Sequence, residues 1–160
     1  MSFAISIAMT GVAAYAMGRS WGQSRWWQTA ATLPAFVGGA ALAAVSIAIV
    51  ALLPYSWYRP AFATLLVGIA AEYTGFALID RRPTRVVVEA IWAAITVAVA
   101  IAGLLSSPGW FAAGFAAHVG WDLLHHNQIK RIDTRAVPGW YAVACIAFDL
   151  PLALAALVLR

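Results

Sequence analysis

The chain has 160 residues, of which 64% are hydrophobic and only 10% are charged, and its formal net charge is +4. A soluble domain carries about 25% charged residues, so this composition excludes an ordinary soluble enzyme and is typical of a protein that spans the membrane several times. The basic residues form no stripe with interleaved aromatic residues, and we therefore exclude a nucleic-acid partner.

Apolar stretches recur along the whole chain, each close to the roughly 17 to 25 residues that a helix needs to cross the hydrocarbon. They predict a single all-α domain over residues 1–160, a polytopic membrane helix bundle with about six transmembrane helices. Because no Lys or Arg precedes Arg19, we expect the first stretch to be a retained span rather than a cleaved signal peptide. The predicted spans are residues 3–18, 32–53, 61–79, 86–105, 109–126 and 138–159.

The basic residues are distributed unequally between the two sides of the membrane. Eight follow the first, third or fifth predicted span, and only Arg59 and Arg160 lie on the opposite side. By the positive-inside rule these three loops are cytoplasmic and both termini face outward (N-out and C-out). We therefore predict an integral protein of the bacterial inner (cytoplasmic) membrane. The eight residues are Arg19, Arg25, Arg81, Arg82, Arg85, Lys130, Arg131 and Arg135.

Prolines predict two local features of the bundle. The sequence PYSWYRP at 54–60 has a proline at each end and predicts an outer turn. Pro151 lies inside the sixth span and cannot donate a hydrogen bond to the carbonyl of Ala147, which predicts a kink beside Asp149.

Four of the six acidic residues lie within predicted spans, where a charge costs at least about 2.5 to 3.5 kcal/mol at the bilayer centre. With a rise of about 1.5 Å per residue, Glu89, Glu72 and Asp149 lie roughly 5, 10 and 16 Å from the cytoplasmic ends of their spans. We expect Glu72 and Asp149 to be functional, as intramembrane carboxylates usually are. Glu89 lies four residues after Arg85, which predicts an interfacial ion pair.

Small and aromatic residues indicate how the spans pack. Gly68, Glu72 and Gly75 share one face of the third span, and small residues permit close helix approach, so we expect Glu72 to point into the bundle. Trp92 and Trp121 are predicted to be packing residues rather than part of a site.

All three histidines fall within HVGWDLLHH at 118–126. At about 100° per residue, four potential ligands of this segment share one helical face. Metals bind imidazole and carboxylate groups at such spacing, with further carboxylates from facing helices, and this ligand set suits zinc or iron better than copper(I). The predicted metal ligands are His118, Asp122, His125, His126 and Asp149. A structural role stays open for each, because His125 and His126 lie at the membrane boundary and a protonated acid can simply bind a neighbouring helix.

The pattern HxxWDxxHH at 118–126, followed by Pro138, Cys145 and Asp149, resembles the C-terminal signature of an uncharacterised (domain-of-unknown-function) family of small bacterial integral-membrane proteins. The resemblance covers roughly the last 45 residues. It implies that these residues form a unit in that family, and it implies no particular activity.

A second resemblance is to membrane fatty-acid desaturases and hydroxylases, whose HxxxH and HxxHH boxes are similar to residues 118–122 (HxxxD) and 122–126 (DxxHH). Those enzymes hold two irons with several histidine boxes. The three histidines of this chain cannot supply such a site, so we exclude it. Retinal is also excluded, because the only lysine, Lys130, lies in a loop and no span can form a Schiff base.

These residues favour a metal-dependent membrane enzyme, by default a hydrolase, with a site that opens to the cytoplasm and a lipid or isoprenoid substrate from the bilayer. In this interpretation Asp122 and Asp149 are both ligands and catalytic residues, and Glu72 transfers protons.

Three alternatives stay open. Desolvated carboxylates and Trp rings would also suit a metal-free isomerase or cyclase, as in emopamil-binding-type sterol isomerases. The chain could instead be an ion or metal transporter, although its polar residues do not continue to the outer face. It could also be an accessory subunit, since alanine-rich helices can dock against other subunits or against further copies in a homo-oligomer.

Overall fold

The computed structural model describes residues 32–125 and 132–159, and over these residues the chain forms five helices. The predicted all-α class is therefore confirmed. The predicted first span at 3–18 lies outside the described residues, and so does His126. The helices are α1 (Thr32–Leu52), α2 (Tyr55–Asp80), α3 (Pro83–Leu105), α4 (Gly109–His125) and α5 (Tyr141–Val158).

Four of the described helices, α1, α2, α3 and α5, are long and apolar enough to cross a membrane, and α4 has 17 residues. Large apolar side chains such as Leu42, Ile91 and Leu154 lie on the outside, each with more than half of its surface exposed. Charged side chains such as Glu89 and Asp149 are fully buried. This distribution is the reverse of that in a soluble protein and is typical of a membrane protein.

Short breaks with proline separate the first four helices. Pro54 precedes α2, Pro83 lies in the first turn of α3, where a missing N–H costs nothing, and Pro108 precedes α4. Arg81 ends α2 in the left-handed conformation with φ 60°, and its N–H donates to the carbonyl of Ala77 at 3.1 Å. Only two residues therefore separate α2 from α3, which makes them antiparallel neighbours.

The predicted outer turn at 54–60 is wrong, because α2 already begins at Tyr55 and includes Pro60. Pro60 lies in the second turn, where the missing N–H leaves only the carbonyl of Ser56 without its helical donor. The side chain of Arg59 donates to the carbonyl of Leu104 at 3.2 Å, near the end of α3. The segment thus joins α2 to α3 instead of forming a loop.

The helices pack in a chain of contacts in which α5 contacts both α1 and α4, and α2 contacts α3 and α4. Glycines mark the closest approaches. A Cβ at Gly39 would overlap the backbone carbonyl group of Ala144, and a Cβ at Gly114 would meet the side chain of Leu66. The α1–α5 contact therefore requires glycine at position 39, whereas at position 114 a larger residue would have to displace the Leu66 side chain.

Gly68 is not one of these close approaches. A Cβ at Gly68 would have no atom within 4 Å, so no neighbouring helix comes close at that point of α2. A small residue permits an approach without enforcing one, and at Gly68 no approach occurs. Glu72, one turn later, is half-buried.

The two ends of the bundle have different interiors. At the end formed by the start of α2, the start of α4 and the end of α5, the core is an apolar cluster around Phe62, Phe111, Phe115 and Leu152. The Phe62 ring centroid lies 6.1 Å from that of Phe111 and 6.2 Å from that of Phe115. The buried ionisable residues all lie toward the other end.

The segment 132–140 is attached to the α2–α3 turn at the polar end. Arg82 binds Asp80 through two hydrogen bonds of 2.7 and 2.6 Å and also donates to the carbonyl of Asp133. The backbone N–H of Arg135 donates to Asp80 at 2.8 Å. The hydrogen bonds to Asp80 raise the pKa of the Arg82 guanidinium. This network holds the start of the segment against the bundle.

The neighbouring glycines Gly38 and Gly39 give a matched test of the α1–α5 packing. We expect Gly39→Ala to destabilise the protein by about 1 to 3 kcal/mol, because the new methyl group overlaps the backbone of α5. Gly38→Ala meets no atom within 4 Å and should be neutral or stabilising, since alanine favours the helix. Thermal unfolding in detergent measures both; equal melting temperatures for the two variants would contradict this packing.

Candidate metal centre

Three helices bring the side chains of the polar end together. His118 and Asp122 lie one turn apart on α4, Asp149 comes from α5, and Tyr73 comes from α2. All four are fully buried. Asp149 lies two residues before Pro151, which is inside α5 and cannot act as a helical donor.

Two hydrogen bonds and one longer ionic contact connect these four residues in a row. His118 Nδ1 lies 2.9 Å from Asp149 Oδ2 and 3.6 Å from Asp122 Oδ1. The Tyr73 hydroxyl donates to the same Asp122 oxygen at 2.7 Å. One imidazole nitrogen is therefore shared between two carboxylates, and tyrosine holds the second carboxylate in place.

Each of the three ligand-type residues keeps one further polar atom that is buried and has no hydrogen-bond partner. These atoms are His118 Nε2, Asp122 Oδ2 and Asp149 Oδ1. A buried polar atom without a partner costs about 1 to 3 kcal/mol, and native structures contain few of them. Three in one cluster make it a candidate binding site.

The same three residues satisfy the basic distance requirement for a metal site. One ligand atom from each of His118, Asp122 and Asp149 lies within 4.8 Å of the other two. Imidazole nitrogen and carboxylate oxygen are ligands for zinc and for non-haem iron. The carboxylates, buried in an apolar bundle, would also gain from a nearby positive charge. We call His118, Asp122 and Asp149 the metal centre.

Glu72 and Cys145 lie near the metal centre without being part of it. Glu72 is half-buried and interacts electrostatically with all three of its residues. Cys145 is buried one turn before Asp149 on α5 and interacts electrostatically with Asp122. Glu72 is thus close enough to influence charge at the centre.

A second buried cluster forms around Glu89 of α3. His125 Nε2 lies 2.8 Å from Glu89 Oε1, and the Thr134 hydroxyl donates to the same oxygen at 3.0 Å. Trp121 Nε1 donates to the other oxygen, Oε2, at 3.0 Å. The Glu89 carboxylate therefore has three partners from α4 and from the segment after it. We call Glu89, Trp121, His125 and Thr134 the Glu89 cluster.

The predicted ion pair between Glu89 and Arg85 is wrong. Glu89 is fully buried, whereas Arg85 is half-buried, and the ion pair that Glu89 forms among the described residues is with His125. The i, i+4 spacing placed Arg85 within reach, but the face of α3 that carries Glu89 packs against α4.

The structure divides the predicted ligands between two levels of α4. His118 and Asp122 belong to the metal centre, and His125 belongs to the Glu89 cluster. The helical angle placed His118 and His125 on the same face, which is consistent with both being buried. They are nevertheless seven residues apart, or about 10 Å along the axis, so a single ion cannot reach both.

Tyr73 and Thr134 are site residues that the sequence did not identify. Tyr73 lies between the two clusters: its ring centroid is 5.6 Å from that of His118 and 4.4 Å from that of His125. A tyrosine within an apolar span and a threonine in a connecting segment carry no pattern that would single them out. Only the tertiary contacts give them their roles.

Trp92 and Trp121 pack as predicted, and they do so beside the metal centre. Their rings stack with centroids 4.4 Å apart and an interplanar angle of 6°. The Trp92 ring centroid lies 6.4 Å from that of His118. Trp121 also donates a hydrogen bond to Glu89, so its role extends beyond packing.

Comparison with protein families gives one match that includes the metal centre. The matching model is described as a family of unknown function, DUF6010, and it covers residues 34–159. It reaches well beyond the roughly 45 C-terminal residues that carried the predicted resemblance, and membership of an uncharacterised family is confirmed. No curated protein and no solved structure matches the chain. Since the match covers more than half of the sequence, the chain belongs to the DUF6010 family.

Proposed function

We propose that the chain is a metal-dependent integral-membrane enzyme whose divalent cation, zinc or iron, is bound by His118, Asp122 and Asp149. The observation that carries this proposal is that each of the three has a buried ligand atom without a partner in the described structure. A divalent cation would compensate the two carboxylates, which are costly to keep charged inside a membrane.

The hydrogen bonds around the metal centre support a ligand role. The Tyr73 hydroxyl donates to Asp122 Oδ1 and leaves Oδ2 free, and metal-binding carboxylates are commonly oriented by such outer bonds. An ion bound by both His118 and Asp149 would take the place of the contact between His118 Nδ1 and Asp149 Oδ2. Three protein ligands leave a further coordination position open, as in catalytic zinc sites.

The position of the centre inside an apolar bundle favours a substrate from the bilayer, such as a lipid or an isoprenoid. Bound water on zinc or iron becomes a nucleophile at neutral pH, and this chemistry suits hydrolysis. Glu72 is half-buried and close enough to sense the charges of the centre, which suits a group that accepts and releases protons. His125 has a structural role in this proposal, because Glu89 is its partner.

We further propose six spans with both termini outside, in a bacterial cytoplasmic membrane. The excess of basic residues in the first, third and fifth loops supports this orientation. The metal centre then opens toward the cytoplasm. Reporter domains fused to each end should be active only on the outer side; cytoplasmic activity of either fusion would overturn the orientation.

The second candidate is a metal-free isomerase or cyclase. It is favoured by one observation, that His118 Nδ1 lies within 3.6 Å of two carboxylates, so that a protonated imidazole would partly neutralise them without a metal. Transport is less well supported, because the apolar cluster around Phe62 and Phe111 fills the opposite end of the described bundle.

Metal content distinguishes the two candidates. We expect purified wild-type protein, after loading with zinc or iron, to hold close to one ion per chain by elemental analysis, and His118→Gln and Asp149→Asn to lose most of it. His125→Gln is the matched control, since it changes the same residue type on the same helix outside the metal centre. Equal metal content in His118→Gln and wild type, or a wild type without metal, would exclude the centre.

A second prediction concerns turnover. Metal-loaded protein in vesicles of total bacterial lipid should release a product detectable by mass spectrometry, and Glu72→Gln should reduce this release about 100-fold or more through loss of a proton-transfer group. The metal content of Glu72→Gln should stay unchanged, because Glu72 lies outside the ligand set. Undiminished release by Glu72→Gln would remove its proposed role.

A further inference from the structure

One polar atom beside the metal centre is still unexplained. Trp92 Nε1 is buried and has no hydrogen-bond acceptor in the described structure. An indole N–H is only a donor, and a buried tryptophan usually finds a partner for it. The cost of leaving it unpaired is about 1 to 3 kcal/mol, so the missing acceptor needs an explanation.

The surroundings of Trp92 prevent it from turning toward another partner. Its ring stacks flat on Trp121 at 4.4 Å, and Trp121 is itself held by the 3.0 Å hydrogen bond from its Nε1 to Glu89. The Glu89 cluster therefore fixes the position of the Trp92 ring as well. The ring centroid of Trp92 is thereby held 6.4 Å from that of His118.

Two neighbouring rings thus each carry a buried nitrogen without a partner. The ring centroids of Trp92 and His118 are 6.4 Å apart, and both Trp92 Nε1 and His118 Nε2 lack a partner. An acceptor oxygen would lie about 2.9 Å from the indole nitrogen. A metal held by His118 would lie about 2 Å from the imidazole nitrogen. The spacing of the rings is compatible with one oxygen atom that contacts both Trp92 and the metal.

Trp92 also lies between the metal centre and the lipid-facing surface. It is half-buried, and its neighbours Ile91 and Ile95 on α3 and Leu123 on α4 are exposed on the outside of the bundle. A molecule that reached His118 from the bilayer between α3 and α4 would pass the stacked tryptophans first. An oxygen of such a molecule would accept the hydrogen bond from the Trp92 indole N–H.

We infer that Trp92 is a substrate-binding residue that donates its indole N–H to an oxygen of the substrate at the metal centre. The substrate class is then a lipid with an acceptor oxygen at its reacting group, such as a carboxylic ester, an amide or a phosphoester, and not a pure hydrocarbon. This inference rests on the proposed metal-dependent function. A trapped water molecule is the competing explanation, because water can also bridge two buried polar atoms.

The test uses octanohydroxamic acid, which binds zinc through two oxygens and carries an alkyl chain, and the zinc-loaded full-length protein in detergent. Trp92→Phe keeps an aromatic ring for the stack and removes the donor together with part of the indole ring. We expect this variant to bind the hydroxamate about three- to tenfold more weakly in titration calorimetry, because one hydrogen bond is lost. Its zinc content should be unchanged. Trp57→Phe, at an exposed tryptophan, is the matched control and should bind as wild type does.

A second readout does not depend on the variant's stability. In wild-type protein labelled with ¹⁵N at the indole, the Trp92 N–H proton should move downfield when octanohydroxamate is added. If Trp92→Phe and wild type bind the hydroxamate with equal affinity, or if the Trp92 indole resonance does not shift, the inference is overturned and a trapped water molecule explains the unpaired N–H. Wild-type protein that holds zinc but does not bind the hydroxamate would overturn the inference and leave the metal centre intact. A wild type without zinc would overturn both.

Discussion

The contact on which the rest of the structure depends is that of the His118 imidazole with the carboxylates of Asp149 and Asp122 in the interior of an apolar bundle. In water these groups would be solvated at no cost, whereas within a bilayer they must find partners inside the protein. The two helices that carry them, α4 and α5, therefore have to stay in register. Tyr73 of α2 adds a third support through its bond to Asp122.

A second level of polar contacts, partly buried and partly exposed, lies on the same side of the bundle. Glu89 joins α3 to His125 and Thr134, and Asp80 joins the α2–α3 turn to the backbone of Arg135. The segment after α4 is thus attached at two points above the metal centre. Tyr73 contacts His125 with its ring and Asp122 with its hydroxyl, so this residue connects the two levels.

The apolar contacts at the opposite end complement this arrangement. There the aromatic cluster and the hydrogen bond from the Tyr58 hydroxyl to the carbonyl of Ala156, 2.8 Å long, fill the interior without charge. An interior that is polar at one end and apolar at the other is compatible with a site that is reached from one side of the membrane. It suits the proposed enzyme better than a transport path.

The sequence was sufficient to predict the all-helical class of fold and to single out most of the polar residues that the bundle buries. Hydrophobic length predicted helices close to the observed ones, and the cost of intramembrane charge identified Asp149 and the histidine segment. Periodicity placed His118 and His125 on one face, and their seven-residue separation already puts them about 10 Å apart along the axis. The partner of each histidine could not be predicted, since it depends on which helix lies opposite each turn.

The remaining differences also have tertiary causes. Glu89 was assigned to the wrong partner because local spacing reports only neighbours on the same helix. Tyr73 was overlooked because the hydrogen bond from its hydroxyl to Asp122 depends on how the helices pack. Pro60 is helical because it lies in the second turn of α2, and the two prolines of the segment 54–60 do not by themselves reveal where this helix begins.

The most direct test of the account is the ligand environment of the bound metal, measured by X-ray absorption spectroscopy on zinc-loaded protein. The account predicts nitrogen and oxygen ligands at about 2.0 to 2.2 Å with the multiple scattering of one imidazole. A sulfur ligand at about 2.3 Å, which only Cys145 or a methionine could supply, or a shell without imidazole, would contradict a centre built from His118, Asp122 and Asp149.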